Sequence, residues 1–116
     1  MKLLILLFIT FPIFAWEKMS TDTDSPFWDK DSLEVMDDGK RRIKWYANDS
    51  NKQFSQYRYF EFNCNDGSYR TLEATAYQFP NLTGKSLNEN ADPKEVKHLD
   101  SNKDMNLLSK NVCGLK

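Results

Sequence analysis

The sequence has one histidine, two cysteines and four glycines in 116 residues, and these shortages remove whole classes of chemistry. His98 is the lone imidazole, and no serine stands in a nucleophile-elbow pattern such as G-x-S-x-G, so a Ser-His-Asp triad has no signature here. Two cysteines and one distant histidine do not complete a tetrahedral zinc shell. Asp22-x-Asp24 and Asp29-x-Asp31 look like fragments of calcium loops, but the central glycine and terminal glutamate of such a loop are missing, which leaves a solvated acidic face. Charge of one sign is also lacking, with 16 Lys and Arg against 17 Asp and Glu, and a near-neutral chain is a poor partner for nucleic acid. There is no internal repeat. The expectation is a protein without catalytic residues, cofactor or metal.

Long apolar runs are scarce too. The stretch Leu3 to Ala15 supplies 13 residues, interrupted by Thr10 and Pro12. A membrane-spanning helix needs roughly 20. Lys2 before the run and the small Ala15 after it give the layout of a secretory signal peptide cut before Trp16, although Ile13 stands where a small residue is preferred. An uncleaved anchor or a buried helix fits less well, because Pro12 disturbs a helix. Residues 1–15 are thus read as a signal and residues 16–116 as one domain with no transmembrane segment. The cut removes one Lys, leaving a net charge of 15 minus 17, or −2. Export brings an oxidising environment, and two cysteines make a single pair, so Cys64 and Cys113 are read as a disulfide.

Aromatics are plentiful: three Trp, five Tyr and eight Phe. Trp16 to Met19 reads as a short first strand and Ser20 to Ser25 as a polar turn. Pro26 to Asp29 is a second short strand, and Asp31 to Val35 is either a turn of helix or the start of a strand. Asp37-Asp38-Gly39 is a turn. Lys40 to Ala47 alternates, with Arg41, Ile43, Trp45 and Ala47 on one face and Lys40, Arg42, Lys44 and Tyr46 on the other. Tyr57 to Cys64 alternates as well: Arg58, Phe60, Phe62 and Cys64 oppose Tyr59, Glu61 and Asn63. Asn65-Asp66-Gly67 makes a hairpin to the strand Ser68 to Tyr77, with Leu72, Ala74 and Ala76 on a common face. This hairpin is expected at the centre of the sheet. Gln78 to Asp92 reads as an exposed loop, and Pro93 to Leu99 as a last short strand with His98 at the surface. Met105, Leu108 and Val112 fall on one helical stripe, capped by Ser101 or Asn102, with Gly114 as a stop. Cys113 at the end of that helix would be pinned to the strand ending at Cys64.

The fold class expected is therefore α+β: a small antiparallel sheet packed against a C-terminal helix, stapled by one disulfide. The candidate binding face is a mixed cationic and aromatic one, Arg42, Lys44, Tyr46, Tyr57 and Tyr59, with Arg41 and Arg58 beside it. Such a surface suits a polyanion, a glycan or another protein, or is an ordinary solvated face with cross-strand pairs.

The order of Trp16-Glu17-Lys18, Phe27-Trp28-Asp29-Lys-Asp31-Ser32-Leu33, Asp38-Gly39, Arg42-Ile43-Lys44-Trp45, Phe62-Asn63-Cys64, Tyr69-Arg70-Thr71-Leu72 and Val112-Cys113 resembles the surface-adhesin protein E family of Gram-negative bacteria. The departures are Trp28 where Tyr is common, Leu33 where Ile is common and Asn63 where Asp is common. The resemblance implies the same sheet-and-helix fold and the same Cys64–Cys113 bridge. It also implies an exported protein of the periplasm or outer surface of a Gram-negative cell. Adhesion to host extracellular-matrix protein, or to a glycan, is the activity implied. The alternative is a periplasmic inhibitor or immunity-type protein that binds an enzyme.

Overall fold

The structure is a computed structural model and describes residues 16–49, 51–98 and 103–114. The expected signal, residues 1–15, the capping residues Ser101 and Asn102, and Leu99 lie outside the described residues. Seven strands form one antiparallel sheet: β1 (Trp16–Lys18), β2 (Phe27–Val35), β3 (Lys40–Asn48), β4 (Ser55–Asn63), β5 (Ser68–Phe79), β6 (Thr83–Glu89) and β7 (Lys97–His98). One helix follows, α1 (Lys103–Cys113). The spatial order β1-β2-β3-β4-β5-β6 repeats the chain order, so β3 and β4 are central. β7 pairs with the start of β5, at Ser68 and Tyr69, while β6 pairs with its later half. Among the described residues no helix is long and apolar enough to cross a membrane.

One face of the sheet carries the core. Trp28, Ile43, Trp45, Phe60, Phe62 and Tyr69 are buried there against Met105, Leu108 and Val112 of the helix. The aromatic rings meet mostly edge to face, as at Trp45–Phe60 (5.5 Å) and Phe60–Tyr69 (5.7 Å), the arrangement their quadrupoles favour. Arg41 shares this face without being an exception to it. Its Nη1 donates to the Val112 carbonyl at 2.8 Å, satisfying a carbonyl that the last helical turn leaves without an intrahelical donor. Asp104 in the first turn and Lys110 in the last complement the helix dipole. The bridge between Cys64 and Cys113 is formed, with Cα atoms 5.6 Å apart. It ties the residue after β4 to the last residue of α1.

The turn before β3 depends on Gly39, whose φ of +82° lies in the left-handed region; a Cβ there would stand 2.6 Å from the Asn65 side-chain nitrogen. The Gly39 carbonyl accepts from the Cys64 N–H at 2.9 Å, so this turn also holds the cysteine.

Two local expectations are corrected and one open alternative is resolved. Residues 83–89 form a strand and do not lie in an exposed loop: β6 is an edge strand on which six of seven residues are exposed, so it has no apolar alternation and is set by pairing with β5. Leu72 does not share a face with Ala74 and Ala76. It is the extra residue of a bulge between the Tyr59–Glu73 and Phe60–Thr71 pairs, which puts Tyr69 and Thr71 on the helix side with the two alanines. The open alternative at Asp31 to Val35 resolves as strand. β2 continues through a bulge between Asp29 and Glu34, where the Ser32 hydroxyl donates to the Asp29 carbonyl (2.7 Å) and accepts from the Lys44 N–H (2.9 Å).

Candidate binding face

The side of the sheet away from the helix is organised in rows, because residues paired across antiparallel strands point the same way. Glu34, Arg42, Glu61 and Arg70 form one row. Trp16, Asp29, Lys44, Tyr59 and Glu73 form the next. Lys18, Phe27, Tyr46, Tyr57 and Thr75 form the third. All five residues of the expected face, Arg42, Lys44, Tyr46, Tyr57 and Tyr59, stand together on this side. Arg41 and Arg58 do not: they pair with Phe62 and Trp45 and point to the helix side.

The charged row compensates itself. The Glu61 carboxylate is buried, with a side chain 5% exposed, and lies between two guanidinium groups. Arg42 Nε donates to one oxygen at 2.9 Å, and Arg70 donates to the other through Nε at 2.9 Å and Nη2 at 2.8 Å. Burial pushes this carboxyl up, and the hydrogen bonds and charges of Arg42 and Arg70 more than reverse it, leaving it below its ordinary value. A lowered carboxyl stabilises the fold above the unfolded-state value, and that stabilisation is lost as pH falls through the folded one. Glu61→Gln is therefore expected to unfold at lower urea than the parent protein at pH 7. The gap should narrow as pH falls from 7 through and below the ordinary carboxylate range, because other carboxylates titrate equally in both chains. A gap of constant size across that range would refute this role for Glu61.

The aromatic row is partly roofed. Tyr46 is buried, stacked on Phe27 with ring centres 4.6 Å apart and met edge-on by Trp16 at 4.9 Å. Its hydroxyl donates to Asn81 Oδ1 at 3.3 Å. Asn81 belongs to the β5–β6 turn, which folds over this side. The turn is held by Asn81 N–H on Asn48 Oδ1 (2.8 Å) and by Leu82 N–H on Ser55 Oγ (2.9 Å), with both residues at a φ of 60°. Tyr46 is thus a support for the face and not an exposed contact. Tyr57 is half-buried, and burial with the nearby negative charge of Glu73 pushes its hydroxyl up to about 12. Burial also raises Tyr59, whose hydroxyl donates to Glu34 at 2.7 Å. Lys44 is exposed and forms no ion pair among the described residues. Carboxylates interleave with the cations throughout, so the face presents no field of one sign for a polyanion.

A family model described as surface-adhesin protein E matches residues 16–114. The chain belongs to the surface-adhesin protein E family. Solved structures of protein E from Haemophilus influenzae share its fold. The crystal form II structure superposes with a TM-score of 0.68 at 12% identity, covering 94% of this chain and 94% of that one. The selenomethionine form gives 0.67 at 14% identity, covering 94% and 93%. Protein E from a non-typeable strain gives 0.65 at 13%, covering 94% and 82%. No curated protein matches the sequence. The match bears out the family resemblance, and the structure bears out the expected sheet, helix and bridge.

Sequence reading missed Trp16, Phe27 and Arg70 as parts of this face, and left out Glu61 although it put that residue on the side of Tyr59. The hairpin offered a signal for Glu61 and Arg70. Pairing outward from the Asn65–Gly67 turn sets Asn63 against Ser68 and hence Glu61 against Arg70. Phe27 is fixed beside Tyr46 only by the β2–β3 register.

Proposed function

We propose that the chain is an exported, non-enzymatic binding protein of a Gram-negative envelope. It engages a protein or glycan partner, such as a host matrix protein, through the open side of its sheet. The observation that carries this reading is that Arg42, Lys44, Tyr57 and Tyr59 stand in three adjacent rows on the side of the sheet away from the helix, in a family of surface adhesins. Export is supported by the signal-like residues 1–15, and a periplasmic or surface position follows from it. An interleaved charge pattern beside half-exposed tyrosines favours a protein surface or an uncharged glycan, since tyrosine supplies contact area at low entropic cost.

The test is binding of the disulfide-bonded protein to immobilised matrix proteins and to a glycan array. Lys44→Ala and Tyr59→Ala, made separately, are each expected to weaken the observed interaction about tenfold, or about 1.4 kcal/mol, above the roughly 1 kcal/mol that only a minority of interface residues exceed. Responses that are flat, or unchanged by both substitutions, would remove the open side as the binding face. Capture of an envelope enzyme that loses activity on binding would favour the inhibitor reading.

A further inference from the structure

The helix packs on β3 and β4 and covers only part of its side of the sheet. Beside it, on that same side, opens a cavity of about 170 Å³. Its apolar walls are Phe60, Tyr69 and Met105, all buried. The polar groups that line it are of a different kind from those on the open side. Trp45, Arg58 and Lys97 contribute donors only, Gln56 an amide and Thr71 a hydroxyl, and no Asp or Glu lines it among the described residues.

All three donor groups are wholly or partly unspent among the described residues. Trp45 is 9% exposed, its indole N–H is shielded from solvent, and it has no acceptor among the described residues. Buried polar groups in native proteins are nearly always paired, so such a donor beside a cavity points to an acceptor that comes from outside the chain. Arg58 uses only Nη1, which donates to the Tyr57 carbonyl at 2.9 Å and lies 2.9 Å from Glu89 Oε1 in an ion pair without hydrogen-bond geometry. Its Nε and Nη2 have no partner among the described residues. Lys97, on the two-residue β7, is exposed and unpaired among the described residues. An apolar wall, the unpaired cation Lys97, the free Nε and Nη2 donors of the ion-paired Arg58 and a buried unpaired N–H together select a molecule with an apolar body and an anionic acceptor group.

We propose that this cavity binds a small amphipathic carboxylate. Its carboxylate is taken by the Trp45 indole N–H, Arg58 and Lys97, and its aliphatic or aryl body lies against Phe60, Tyr69 and Met105. The acidic residues Glu89, Asp92 and Glu95 line the neighbouring cavity, which shares Arg58 and Lys97. They disfavour a second negative charge on the ligand. The site is on the opposite side of the sheet from the proposed adhesive face, so each stands or falls without the other.

The test is a titration of the 15N-labelled, disulfide-bonded protein with phenylacetate and with hexanoate, followed by NMR. The Trp45 indole resonance is assigned by its loss in Trp45→Phe. With at least one of the two carboxylates it is expected to shift downfield and saturate. 2-Phenylethanol, which keeps the apolar body and loses the charge, is expected to bind at least tenfold more weakly than phenylacetate if phenylacetate binds. Lys97→Gln, an exposed change that leaves the packing untouched, is expected to weaken the carboxylate at least tenfold. An indole resonance unmoved by both carboxylates at 10 mM would overturn the proposal. So would equal binding of the alcohol, or binding unchanged in Lys97→Gln.

Discussion

Removing the bridge, as Cys64→Ala with Cys113→Ala, is expected to lower the unfolding free energy by about 4 kcal/mol, the chain-entropy value for a closed loop of this length. The loop spans 49 residues and contains β5, β6, β7 and the helix. Cutting it frees nearly half of the domain in the unfolded state. The loss is large against the 5–15 kcal/mol, roughly, that small domains possess, and corresponds to a fall in Tm of roughly 15–30 °C. The native state also feels the change. An isolated helix of eleven residues is shorter than the 12–15, about, that are marginal in water, so α1 depends on what anchors it. Its anchors are one apolar stripe, the Arg41 bond to Val112 and the bridge. Urea unfolding followed by circular dichroism measures the effect. A loss under about 1 kcal/mol would show that the unfolded chain already keeps these elements close.

Leu108→Ala is expected to cost about 3 kcal/mol, within the range for a leucine truncated in a core. Leu108 is fully buried, between Met105 and Val112 on the helix stripe and among the core residues that include Ile43 and Phe62. Alanine is at least as good a helix former as leucine, so the loss measures packing and the cavity left behind, not helix propensity. Lys110→Ala, on the exposed side of the same helix, should change stability by no more than about 0.5 kcal/mol. The penalty for Leu108→Ala should shrink in the protein without its bridge, because both changes loosen the same helix and neighbouring effects do not add. Equal costs with and without the bridge would mean that helix and staple act independently.

How much of this was readable beforehand depended on whether a segment sees the core. β3 and β4 each have a buried face and an open face, and their alternation announced both strands and sorted their side chains correctly. Asp38-Gly39 and Asp66-Gly67 marked turns because the backbone there needs a positive φ, which both glycines adopt. β6 announced nothing. Thr83 to Glu89 holds a single large apolar residue, Leu87, and it is 70% exposed, so only the β5 backbone defines that strand. The bulge at Leu72 adds one residue and the irregularity after Asp29 adds three, an odd number each time, so both invert the alternation, and a pattern of period two is blind to such a shift. The candidate face was legible as a set of residues, since all five of its members lie on β3 and β4, whose phase is clear. Its shape was not legible. Nothing local to Tyr46 says that Trp16, Phe27 and Asn81 close over it, for these arrive from 30, 19 and 35 positions away.

The chain order of the sheet has a kinetic meaning. Each strand from β2 to β6 pairs with the one just before it, so the sheet can grow hairpin by hairpin, with short loops to close at every step. The staple belongs to a different regime. Cys64 is in place as soon as β4 has formed, but its partner follows every strand, so the covalent closure has to wait until the whole meander is laid down. With no third cysteine to compete, a wrong intramolecular pairing does not exist. Oxidation then acts as a latch on a finished sheet, closing once α1 has brought Cys113 to Cys64.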